Sequence, residues 1–217
     1  MTADLFENFS RSAPAQESLG EGAMILRGWA LADAEAILHG VEQGLLQSGL
    51  RQMLTPGGRK MSVAMSNCGA WGWISDKQGY RYVSRDPETG QPWPEIPTLL
   101  LRMAQTAAAK AGFASFIPDA CLVNVYVPGA RMSLHQDKDE QDMGAPIVSV
   151  SLGLPATFLF GGAERRDQVQ RINIEHGDVL VWGGPARLRY HGIAPVKMGD
   201  HPLVGERRLN LTLRKAR

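Results

Sequence analysis

After Asp119 the sequence changes to a period of two and keeps it almost to the C-terminal end. Residues 120–127, 131–137, 146–152, 156–160, 170–174, 178–182, 187–191 and 207–214 each read as a short strand, separated by Gly, Pro or charged turns. The last of them carries the most information. In Arg208-Leu209-Asn210-Leu211-Thr212-Leu213-Arg214 the alternation is strict, so three leucines share one face while Arg208, Asn210, Thr212 and Arg214 share the other. A polar face with two cations meets either solvent or a ligand cavity. The two arginine Cα atoms are roughly 20 Å apart along a strand, which leaves room between converging side chains for a small dicarboxylate, one forked contact at each end. Asn124 and Tyr126 share one face of another strand, and their amide and phenol suit the same acid.

Two helices precede these strands. Between Leu31 and Gln47 apolar residues recur at three and four positions, which predicts an amphipathic helix. The second runs from an N-cap at Pro97-Thr98 along the apolar face Leu99, Leu100, Met103, Ala104, Ala107, Ala108 and Ala111 to a stop at Gly112. The whole is an α+β chain whose second half is expected to be a double-sheet jelly roll. Residues 1–20 read as a polar, loosely attached arm. Residues 51–94, broken by glycines and prolines, read as irregular hairpins and loops. They hold Trp71, Trp73, Tyr80 and Tyr82, and the window from Arg51 to Arg85 has six cations against Asp76, a local charge of +5 in a chain of net charge +1. Aromatics among cations on a loop platform suit a lid that binds nucleic-acid bases; the alternative is that they pin the loop to the core.

His135 and Asp137 sit two apart on a predicted strand and project from one face, half of a metal site. A third ligand from a distant strand would complete the two-His-one-carboxylate arrangement that holds iron in non-haem oxygenases. His191, followed by Gly192, is the favoured third ligand, yet periodicity does not decide between it, His176 and His201. The acidic run from Asp137 to Asp142 is not a calcium loop, because its sixth position is Asp142 and its twelfth Val148. With 44% hydrophobic residues, 21% charged residues and no long apolar run, the composition predicts one soluble domain in the cytoplasm without a membrane span. Cys68 and Cys121 are too few for a disulfide framework.

Longer stretches resemble the AlkB family of Fe(II)- and 2-oxoglutarate-dependent nucleic-acid dealkylases, close to its bacterial members. They are Thr55-Pro56-Gly57-Gly58, Met61-Ser62-Val63-Ala64-Met65, Pro118-Asp119-Ala120-Cys121-Leu122, Ser133-Leu134-His135-Gln136-Asp137-Lys138-Asp139-Glu140, residues 145–156, His176-Gly177-Asp178-Val179 and Asn210-Leu211-Thr212. The resemblance implies a double-stranded β-helix over 119–217, a nucleotide-recognition lid over 51–95, and a single dioxygenase domain over 21–217 after the flexible arm. It implies iron on His135, Asp137 and His191, and 2-oxoglutarate on Asn124, Tyr126, Arg208, Asn210 and Arg214. It puts Trp73 over the damaged base, with Tyr80, Asp139 and Arg165 as further contacts. Implied cosubstrates are 2-oxoglutarate and O2; the implied substrate is alkylated DNA, single strands foremost, with RNA as a second candidate, and the implied enzyme is a monomer. Two residues depart from the family pattern: Leu209 replaces an aromatic, and Arg59 stands where relatives can carry a tyrosine. Rival readings are a hydroxylase of a protein or amino acid and a jelly-roll module that keeps a metal without turnover.

Overall fold

The computed structural model describes residues 16–217. Helix α1 spans Ala34–Gln47 after a 3-10 turn at Leu31–Asp33, and α2 spans Thr98–Lys110. Each buries one stripe: Ile37, Leu38 and Val41 on α1, and Leu100, Met103, Ala104, Ala107 and Ala108 on α2. The expected cap at Pro97-Thr98 is not a side-chain cap. Pro97 occupies that position, and its carbonyl accepts from the Leu101 N–H at 2.9 Å. Gly112 ends α2 as expected, at φ +94, a conformation other residues enter at a cost.

Seven antiparallel strands form the larger sheet, in the order β1-β2-β11-β8-β13-β6-β3. These are β1 (Gln16–Gly20), β2 (Ala23–Leu26), β3 (Ala64–Gly69), β6 (Ala120–Tyr126), β8 (Ile147–Gly153), β11 (Val179–Trp182) and β13 (Arg208–Arg214). The smaller sheet has β7 (Met132–His135), β9 (Ala156–Phe160), β10 (Gln170–Ile174) and β12 (His191–Ile193) in the order β10-β9-β12-β7. A separate hairpin pairs β4 (Gly72–Asp76) with β5 (Gly79–Val83). Two facing antiparallel sheets with helices on one outer face make the expected jelly roll.

Side-chain parity sets the layers. Leu209, Leu211 and Leu213 join Val123, Val125, Val148, Val150, Val179 and Val181 against the helices. Each large aliphatic side chain buried there contributes about 1.5–3 kcal/mol. Leu122, Tyr126, Ile147, Leu180 and Trp182 point the other way, toward Phe158, Phe160 and Ile193 of the smaller sheet. A one-residue slip of β13 would put its arginines among the helices, so burial fixes the register.

Three expectations are corrected. Residues 16–20 are an edge strand and not part of an arm, because Arg27 bridges Glu17 and Asp178, each at 2.8 Å, and ties β1 down. The rest of the expected arm lies outside the described residues. Within the expected lid, β3 belongs to the main sheet, paired with β6 along its whole length. Residues 187–190 are not a strand. Their alternation is that of a loop in which Arg187 turns inward to the Ala145 and Asp137 carbonyls and Glu140 while Leu188 stays exposed, and β12 begins at His191.

Candidate active site

The pairing of β12 with β7 sets His191 directly opposite His135, with ring centroids 4.4 Å apart. Gly192 permits this close approach, since a Cβ there would meet the Met132 carbonyl at 2.6 Å. His135 is the last residue of its strand, so Asp137 lies in the following loop and not on the strand as expected. Arg187 holds its backbone carbonyl at 2.6 Å, and Arg214 donates twice to its Oδ2, at 3.0 and 2.7 Å. Each histidine Nε2 stands 3.6 Å from one Asp137 oxygen, and the three ligand atoms lie within 4.8 Å of one another. Each Nδ1 meets a carbonyl, Ser133 at 2.9 Å and Arg189 at 3.0 Å, so Nδ1 carries the hydrogen and Nε2 presents its lone pair. Burial, helped by His191, pushes His135 down to about 4, which keeps it a neutral ligand. Burial works to raise the Asp137 carboxyl, but Arg214 outweighs it and holds it well below the usual range. The His176 and His201 rings lie tilted against each other, centroids 4.3 Å apart, and among the described residues the only three-residue cluster of this kind is His135, Asp137 and His191.

A cavity of about 710 Å³ opens between the sheets beside the triad. Asn124 and Tyr126 of β6 and Arg208, Asn210 and Arg214 of β13 line it, brought side by side by the pairs Arg208–Tyr126 and Asn210–Asn124. Arg208 is 1% exposed, donates to Ser151 Oγ at 3.1 Å and lies over the Tyr126 ring at 5.0 Å. Its Nε and Nη1 have no partner among the described residues, and neither does Asn124 Oδ1. Burying a guanidinium without a carboxylate is costly. Arg214, by contrast, is committed to Asp137. Burial raises the Tyr126 hydroxyl to about 12, so it stays protonated and able to donate. Leu209 points away from the cavity into the helix-facing core, as expected of that departure.

Trp73 and Tyr80 stack at the mouth, centroids 5.5 Å apart and planes 14° from parallel. Asn67 bonds the Trp73 backbone N–H and carbonyl, and the indole Nε1 donates to Asp139 Oδ2 at 2.8 Å. Arg165, also at the mouth, donates to the Leu134 carbonyl at 2.7 Å and sits over Tyr190 at 5.8 Å. Arg59 is at the mouth too. Trp71 and Tyr82 are not: they pack with Ala120 and Ala216, and Arg217 lies over both rings. The +5 window is likewise smaller as a surface than as a sequence. Arg51 is bound by Asp86, which lies one residue beyond the window, and Arg81 by Asp76, so Arg59, Lys60, Lys77 and Arg85 are the cations outside these pairs.

The 2OG-Fe(II) oxygenase superfamily matches residues 22–214, nearly the whole of this architecture. The chain belongs to that superfamily, in its AlkB family. It is 56% identical over 212 residues to alpha-ketoglutarate-dependent dioxygenase AlkB of Salmonella typhimurium, covering 98% of each chain. It is 34% identical over 166 residues to DNA N(6)-methyladenine demethylase ALKBH1C of Arabidopsis thaliana, 64% of this chain and 36% of that one. Among solved structures, that of OsALKBH1 superposes with a TM-score of 0.80 at 29% identity, covering 93% of this chain and all of the other. No helix among the described residues is long and apolar enough to cross a membrane.

As an AlkB-family 2OG-Fe(II) oxygenase the enzyme uses Fe(II), 2-oxoglutarate and O2. The residues present fit these groups: two imidazoles that each present Nε2 and a carboxylate converge for a metal, and the partnerless donors of buried Arg208 suit a carboxylate. Sequence reasoning missed Glu140, Arg187 and Tyr82, which surround Asp137 and Arg214 from behind. Glu140 had no signal of its own, since in a run with Lys138, Asp139 and Asp142 it looks like one charge of a solvated turn.

Proposed function

We propose that this enzyme oxidatively demethylates N-alkylated bases, 1-methyladenine and 3-methylcytosine, in single-stranded DNA and also in RNA, as a cytoplasmic monomer that repairs alkylation damage. His135, Asp137 and His191 would hold Fe(II), which with 2-oxoglutarate and O2 would supply the oxidation, the keto acid leaving as succinate and CO2 while a methyl C–H bond gains one oxygen atom. The resulting N-hydroxymethyl group releases formaldehyde and restores the base. Arg214, beside Asp137, would take one carboxylate of the cosubstrate, and Arg208, six residues along β13, the other. Asn124, Asn210 and Tyr126 add hydrogen bonds along its length.

One observation carries the substrate: the Trp73–Tyr80 stack, held by Asn67 and Asp139 at the mouth of the metal cavity. An aromatic shelf there suits a base turned out of its strand. Asp139 faces the same mouth, and methylation at N1 of adenine or N3 of cytosine makes the base cationic, so a carboxylate favours the damaged form. Arg59, Lys60 and Arg165 line the same mouth and suit phosphates. Formaldehyde release from matched methylated DNA and RNA oligonucleotides, single- and double-stranded, tests the reading. Succinate formation with no formaldehyde from any of them would favour a protein or amino-acid substrate instead.

A further inference from the structure

The loop that follows the metal strand carries four carboxylates, and the first three face three different ways. Asp137 faces the other metal-site residues, and Asp139 accepts the Trp73 indole N–H. Glu140 is 7% exposed: its Oε1 accepts the Tyr82 hydroxyl at 2.6 Å and lies 3.5 Å from Arg214 Nε, and its Oε2 accepts Arg187 Nη2 at 2.9 Å. Arg187 in turn donates to the Asp137 carbonyl, and Arg214 to the Asp137 carboxylate. Two buried carboxylates and two buried guanidiniums thus balance around one metal ligand. Trp73 and Tyr82 are also direct cross-strand partners on β4 and β5. The two paired aromatics of the hairpin therefore reach two consecutive residues, Asp139 and Glu140, of the loop that begins at Asp137.

We propose that Glu140 is a positioning residue that fixes Arg214 and Arg187 around Asp137 and, through Tyr82, sets the distance between the Trp73 hairpin and the metal site. The part of this inference that concerns the hairpin rests on the function proposed above; the part that concerns Arg214 does not. A purely structural ion pair would support the fold alone. A positioning pair also aligns two separate ligands, so its loss disconnects cosubstrate turnover from product formation.

The test uses the whole chain and two substitutions, Glu140→Gln, which keeps the shape and removes the charge, and Tyr82→Phe, which removes one hydroxyl. On Mn(II)-loaded protein, which binds without turning over, the readouts are affinity for 2-oxoglutarate and affinity for an oligonucleotide containing 1-methyladenine. With Fe(II), the readout is succinate formed per formaldehyde released. Glu140→Gln is expected to weaken 2-oxoglutarate binding about tenfold, the scale of a lost charge-assisted hydrogen bond, and to raise the succinate-to-formaldehyde ratio. Tyr82→Phe is expected to weaken oligonucleotide binding about tenfold on the same grounds and to raise the ratio, with 2-oxoglutarate affinity little changed. A Glu140→Gln protein that melts earlier yet keeps its 2-oxoglutarate affinity and its ratio overturns the proposal. So does a Tyr82→Phe protein with the parent's oligonucleotide affinity and ratio, and this milder change decides the matter if Glu140→Gln does not fold. If the parent protein itself releases formaldehyde from no methylated oligonucleotide, the functional reading falls, while the 2-oxoglutarate affinity of Glu140→Gln still decides the role toward Arg214.

Discussion

His191 and His176 differ in what Nδ1 does. In His191 it meets the Arg189 carbonyl and donates, which leaves Nε2 with a lone pair; in His176 it accepts from the Gly153 N–H, so Nε2 carries the hydrogen. His191 thus keeps a lone pair for a metal, whereas the single lone pair of His176 is already engaged by the Gly153 N–H. His191→Ala should abolish iron binding and succinate production, whereas His176→Ala should retain both; the reverse result in an iron assay would reassign the third ligand. Arg208 makes a prediction of opposite signs. Replacing a buried guanidinium that lacks a carboxylate by Met should stabilise the cosubstrate-free fold, by about 1–4 kcal/mol if it behaves like other buried charges, while sharply raising the 2-oxoglutarate requirement. Urea titration and succinate kinetics read the two halves. Asp139→Asn should cost more activity on cationic 1-methyladenine and 3-methylcytosine than on neutral 1-methylguanine or 3-methylthymine, and an equal loss on all four would remove charge selection.

At the level of elements, the β4–β5 hairpin presents the aromatic shelf. Trp73→Ala should weaken methylated substrate by about 1–3 kcal/mol, the measured range for base–aromatic stacking, and leave substrate-free 2-oxoglutarate decarboxylation nearly intact. Equal loss of both would mark Trp73 as structural. How legible each element was in the sequence follows from what its two faces meet. β13 was plain because one face meets the helices and the other the cavity, so its alternation is uninterrupted. β3 was hidden because Ala64-Met65-Ser66-Asn67-Cys68-Gly69 has no β-branched residue and, apart from Met65 and Cys68, no large apolar side chain. Residues 187–190 imitated a strand because Arg187 points inward for its hydrogen bonds and not for pleating. In the site, His135 and Asp137 could be read from spacing. His191 could not be separated from His176 by spacing, since a hydrogen-bond partner brought by another segment makes the difference.

Over the whole molecule, the acid limit of stability should be set by carboxylates that folding holds ionised. Asp86 is the clearest: burial alone would raise it, yet Arg51, the Glu88 N–H and Ser48 hold it well below its ordinary 3.8. Its folded value is the lower one, so its contribution is full above about pH 5 and drains away as pH falls through 4 and below. Asp86→Ala should cost about 3–5 kcal/mol at neutral pH, the scale of breaking a buried pair. The urea midpoint of that variant should also depend less on pH between 5 and 3 than the parent's. The lone guanidinium of Arg208 has a reach beyond its cavity. Because the described fold offers it no carboxylate, the dicarboxylic acid of the proposed reaction would also complete the interior, and would stabilise the folded form by an amount that grows with the logarithm of its free concentration. The supply of that keto acid would then act twice, on the rate of turnover and on the population of intact molecules.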